Sequence, residues 1–205
     1  MRPSAPVSAN TTSVRSPFTF GPSRRNRASS VCYGAAVNGA VLRDAFGHHV
    51  WATLRLLDVC LELTPEELGT TVPGTYGSIL DTARHVVGAD AWYLSRMSDD
   101  PAFRVDEERM ELPEIRSVME RNGDAWMRII EGDIDPDAVE ITPQEDGSEF
   151  HTPKGIRIAQ ALHHGTDHRS QICTAITTLG MEPPDIDVWA YGELHGRTAE
   201  IPAKS

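Results

Sequence analysis

In four long stretches of this chain apolar residues return every three or four positions, and a segment patterned that way buries one continuous side only as an α-helix. The first stretch runs from Val41 to Leu63 on Leu42, Ala45, Phe46, Val50, Leu57, Cys60 and Leu61. The second runs from Ser78 to about Met97 on Ile79, Leu80, Ala83, Val86, Val87, Tyr93, Leu94 and Met97. The third spans Pro113 to Ile130, with Asn122 and Gly123 as a weak point in its middle, and the fourth spans Gly155 to Leu179, stopped by Gly180 and the prolines beyond it. Thr64-Pro65-Glu66-Glu67 spells a capping box with proline in the first turn of a short helix that Gly69 ends, and Ser78 with Asp81 caps the second long helix. Residues 131–154 hold acids, prolines and the pair Asp146-Gly147 between β-prone pieces at Val139–Thr142 and Glu149–Thr152, which reads as an extended crossover or a short hairpin. The expected fold is all-α: a four-helix bundle over residues 41–195 with one long crossover before the last long helix.

Charge separates the start of the chain from the rest. Six arginines (Arg2, Arg15, Arg24, Arg25, Arg27 and Arg43) precede Asp44 with no acid among them, so residues 44–205 carry the other 13 of 19 basic residues against all 30 acids. Residues 1–40, rich in Arg, Ser and Pro, are expected to form a disordered tail, because they offer too little periodic apolar surface to offset chain entropy. The same composition fits an organelle targeting segment, a linker or an upstream start. Residues 196–205 are expected to be a flexible C-terminal tail. A net charge of −11 argues against a nucleic-acid partner, which clustered Lys and Arg would attract. No apolar run approaches the roughly 20 residues of a membrane span, so no membrane association is expected. Cys32, Cys60 and Cys173 are odd in number, far apart and outside CxxC spacing, which suggests neither a disulfide nor a thiolate zinc site and suits a reducing, cytoplasmic location.

The segment QALHHGTDHRSQI, residues 160–172, crowds His163, His164, Asp167 and His168 onto the fourth helix. At about 100° per residue the apolar arc of Ile158, Ala161, Leu162, Gly165, Ile172, Ala175, Ile176 and Leu179 contains His168 and borders His164, while His163 and Asp167 fall on the polar side. An imidazole pair at i and i+4 converges on one point, the spacing that supplies two ligands in helical zinc sites; hydrogen bonding across the helices is the alternative use of the same pair. A metal site calls for a third ligand, with His49 and His85 as candidates. The helical wheel favours His49, which lies within the apolar arc of the first helix. Thr82 and Ala89, small residues flanking His85, favour close approach of a neighbouring helix there instead.

The pieces HHVWATLRLLDVC at 48–60, GSILDTARHVVGADAWYL at 77–94, HHGTDHRSQI at 163–172 and LGMEPPDIDVW at 179–189 together resemble the DinB family of metalloproteins over about residues 44–192. The resemblance implies an up-down-down-up bundle with a divalent metal ion, zinc or nickel suiting imidazole ligands, held by His85, His164 and His168. His49 then becomes a supporting group or occasional fourth ligand. Thr53 stands where many relatives carry asparagine, and Arg169 and Gln171 match the family's HRGQ with Ser170 in place of glycine; the latter two are expected to make hydrogen bonds along the helix face.

Other residues are expected in structural roles. Asp185 and Asp187 read as an acidic turn after a helix end ahead of a general base, Trp51, Trp92 and Trp189 as core aromatics ahead of the lining of a pocket, His151 and His195 as exposed loop residues, and Cys60 and Cys173 as packing groups. Two functions follow: a metal-dependent enzyme that activates water or a low-molecular-weight thiol toward a small-molecule substrate, or a non-catalytic metal- or ligand-binding bundle in stress response. A homodimer is the default assembly.

Overall fold

The computed structural model describes residues 31–201; of the tail expected over residues 1–40, residues 1–30 lie outside them and residues 31–40 belong to the first helix. The chain is mostly helical with one small sheet: α1 (Val31–Cys60), α2 (Pro65–Leu68), α3 (Ile79–Ser98), α4 (Leu112–Glu131), β1 (Val139–Pro143), β2 (Glu149–Pro153), α5 (Lys154–Thr178) and α6 (Val188–Leu194), with 3-10 turns at Pro101–Phe103 and Glu107–Arg109. The first helix begins ahead of the Val41 read from the apolar spacing, since no proline interrupts residues 31–60. It also ends earlier, leaving Leu61 outside it and 38% exposed.

The caps form as read. Thr64 and Glu67 close a capping box on α2, and Ser78 and Asp81 close one on α3. At the end of α5, Gly180 takes φ +79°, and the Gly180 and Met181 amides donate to the Thr177 and Ile176 carbonyls, a Schellman stop. The strands pair antiparallel, Ile141 opposite His151, around a turn in which Gly147 has φ +83°. The sheet is tied to two helices: Arg96 of α3 donates to the Ile141 carbonyl, and Arg157 of α5 pairs with Glu140 at 2.6 Å. Helix α6 was not legible as a helix; Asp187 caps it by accepting from the Ala190 amide, and Tyr191 packs against Trp51 of α1.

Helix α1 packs on α4 and α5, and α3 packs on the same two helices. One buried cluster gathers Leu57, Cys60, Val87, Ile115, Met119 and Ile176; the other gathers Phe46, Leu94, Trp126, Ile130, Ile158 and Ala161. The expected weak point in α4 is continuous helix. Gly123 is where α4 meets α1, because a Cβ there would lie 2.7 Å from Val50 Cγ1, and the buried Asn122 amide donates to the Val87 carbonyl. Trp92 and Trp189 are not core residues, at 44% and 72% exposure; the fully buried tryptophan is Trp126. Among the described residues no helix is long and apolar enough to cross a membrane.

Candidate metal centre

His85 points from α3 toward His164 and His168, one turn apart on α5, and each of the three offers a ligand nitrogen within 4.8 Å of the others. The two Nε2 atoms of His85 and His164 are 3.1 Å apart. Four imidazole ligands around zinc at 2.0–2.1 Å would sit roughly 3.4 Å from one another, so the spread is one that small ring rotations close. The apolar arc of α5 explains why two of the three arrive here: Ala161, Gly165, Ile172 and Ala175 are buried, and His168 is buried in line with them. His163 and Asp167 face solvent, as their place on the helix requires.

Hydrogen bonds fix which nitrogen His85 and His168 present. The Glu107 carboxylate accepts from His85 Nδ1–H at 3.2 Å. Gln171 Oε1 accepts from the Tyr76 amide at 2.9 Å, which orients the side-chain amide, and so it also accepts from His168 Nδ1–H at 3.0 Å. Both rings therefore turn Nε2 lone pairs inward, the arrangement in which a metal-binding histidine is held by an outer carboxylate or carbonyl. Burial, with the neighbouring His168 and His85, pushes His164 down to about 4, and burial lowers His168 as well. His164 is accordingly neutral at pH 7, the form that binds metal. Tyr76 stacks on the His85 ring at 4.0 Å between centroids and 5° between planes, and the Tyr93 ring meets His164 edge-on at 5.9 Å.

His49, which the helical wheel favoured, is not part of this group. It is 1% exposed, and both of its nitrogens are engaged. The Arg169 guanidinium has only donors to give, so His49 Nδ1 accepts from it at 3.0 Å and His49 Nε2–H donates to Asp90 Oδ1 at 3.2 Å. Trp126 Nε1–H donates to the same oxygen at 2.8 Å. Arg169, which burial pulls down to about 10, also donates to Thr53 Oγ1, so Thr53 is one of the groups that hold the guanidinium. The result is a buried chain of Asp90, His49 and Arg169 spanning α3, α1 and α5.

The remaining candidates fall into place around these two networks. Gln171 anchors His168, whereas Arg169 serves the buried chain. Asp185 Oδ1 accepts from the Asp187 amide, a turn role for both acids. His151 and His195 are exposed, although His151 lies on β2 and His195 at the end of α6. Burial raises the Cys60 thiol to about 12 and raises Cys173, so neither is a nucleophile.

Sequence reasoning missed Asp90, Glu107 and Tyr76. Asp90 had a signal: it continues the Ala83–Val87–Leu94 stripe, and an acid on a buried face needs a partner. Glu107 and Tyr76 had none, because each reaches His85 from a connection between the long helices, Glu107 from a short 3-10 turn and Tyr76 from the loop before α3.

No curated protein is similar enough to this chain to register as a relative. The DinB family model matches residues 38–200, nearly all of the described structure, and includes all three converging histidines. The chain belongs to the DinB family.

Proposed function

We propose that His85, His164 and His168 hold one divalent cation, zinc or nickel by ligand preference, and that the protein is a metal-dependent enzyme acting on a small molecule. The observation that carries this reading is the occupation of both outer nitrogens: with Nδ1 of His85 on Glu107 and Nδ1 of His168 on Gln171, the Nε2 lone pairs are left facing one another. Lone pairs so placed repel unless a proton or a cation lies between them. Three neutral ligands leave the charge of the site at that of the ion, and a fourth position for a water or substrate atom. A bound ion would supply the Lewis acidity that activates water or a low-molecular-weight thiol. The chain's own residues do the rest: Glu107 and Gln171 set the tautomers, and Tyr76 covers one face of His85. We also propose that the four long helices form an up-down-down-up bundle, supported by the packing of α1 and α3 on the same two partners.

The test joins stability to turnover. An ion present at 100 times its dissociation constant adds about 2.7 kcal/mol, so chelation is expected to lower the melting temperature by roughly 5–10 °C. Turnover of a panel of esters and thiol acceptors should disappear with the metal and return when it is restored. A melting point indifferent to chelator contradicts the metal centre; a metal-dependent melting point without turnover of any panel member contradicts the enzyme and leaves a binding protein.

A further inference from the structure

Beside the three histidines lies a cavity of about 410 Å³ lined by Gly88, Ala89, Trp92, Tyr93, Arg104, Val105 and Glu107. It shares two walls with the metal centre: Glu107 is the group on His85 Nδ1, and Tyr93 is the ring against His164. Along α3, His85, Gly88, Ala89 and Trp92 follow one another on a single helical face, so the cavity continues the surface that carries the histidine. Its volume suits a small organic molecule.

Two features give the cavity a chemical preference. Trp92 is held in place: the Arg157 guanidinium lies 4.9 Å from its ring centroid, and Arg157 is itself buried and paired with Glu140. Its indole, with Ala89 and Val105, makes a flat apolar wall. Glu107 lines the cavity with its carboxylate engaged by His85, whereas no carboxylate pairs with Arg104 among the described residues. Arg104 is thus the cationic group offered to a ligand, and a guanidinium matches a carboxylate in a bidentate fork.

We propose that this cavity is the substrate subsite of the centre and that it takes a small molecule with a planar apolar body and a carboxylate, the body on Trp92 and the carboxylate on Arg104. The proposal rests on the metal-centre reading for its function but not for its binding, and the experiment separates the two. Calorimetric titration of the full-length protein with 2-naphthoate and with its neutral analogue 2-naphthamide, each with zinc added and after chelation, is expected to show the acid binding about fivefold more tightly than the amide in both states. Arg104→Gln is expected to erase that difference, and Trp92→Ala to weaken both ligands, while zinc content stays at the wild-type level in both variants. Equal binding of acid and amide, absence of binding by either, or an unchanged preference in Arg104→Gln overturns the proposal. A preference seen only with zinc present also overturns it, by placing the carboxylate on the ion. Wild-type protein that binds no zinc yet keeps the preference would refute the metal reading and leave the cavity's specificity intact.

Discussion

Glu107 approaches His85 only because residue 88 is glycine: a Cβ at Gly88 would lie 2.5 Å from Glu107 Oε2 and 2.6 Å from Glu107 Cβ. Alanine there would ordinarily stabilise a helix by about 1 kcal/mol. We expect Gly88→Ala instead to push Glu107 off the imidazole and weaken metal binding, as Glu107→Ala does, by roughly 10- to 100-fold, the usual cost of losing a group that orients a ligand. Competition against a chelating dye measures it; a Gly88→Ala protein with wild-type affinity would show that the carboxylate does not hold the ring. Histidine burial gives a second expectation. His164, His168 and His48 all lie below their ordinary value in the folded chain, with burial as the first cause. The unfolded chain therefore binds protons that the folded chain refuses, and the stability of the metal-free protein falls as pH drops from 6.5 toward the value of about 4 held by His164. Melting temperatures in chelator at pH 7.5 and 5 check the sign, and His164→Gln should flatten the slope. A slope unchanged in that variant would exclude His164 as a contributor.

Helix contacts depend on where side chains are missing as much as on where they are large. Gly123 looked like a helix breaker because propensity is a local quantity, whereas its use is tertiary: it admits Val50 of α1 against the α4 backbone. Val50 is β-branched and has little freedom to turn aside. Gly123→Ala is thus expected to destabilise the protein by about 1 kcal/mol or more despite the gain in propensity, read as a lower urea midpoint with an unchanged slope. A raised midpoint would mean that α1 and α4 have room to spare. The long helices were legible because each has one apolar side, with Ser78 marking the start of α3 and Gly180 the stop of α5; α6 was not, being short and keeping Trp189 in solvent. For a related reason Trp92 was given to the core ahead of a pocket, since helical spacing alone does not tell a core face from the wall of a cavity.

Across the molecule, two networks share helices α3 and α5, and one of them extends to α1. One is the buried chain of Asp90, His49 and Arg169, and the other the converging His85, His164 and His168. The wheel separated core from solvent correctly for His49 and His168, yet it favoured His49 over His85, because the partners that decide between them come from other elements and leave no mark on a single helix. Family resemblance supplied the third histidine, and Glu107, twenty-two positions beyond it, supplies the geometry. The most direct measurement of the central claim is elemental analysis of the purified protein beside His85→Ala, His164→Ala and His168→Ala. The account predicts one transition-metal ion per wild-type chain and its loss from each folded variant. A wild-type protein that takes up no ion when supplied with zinc or nickel, or three variants that keep theirs, would contradict it.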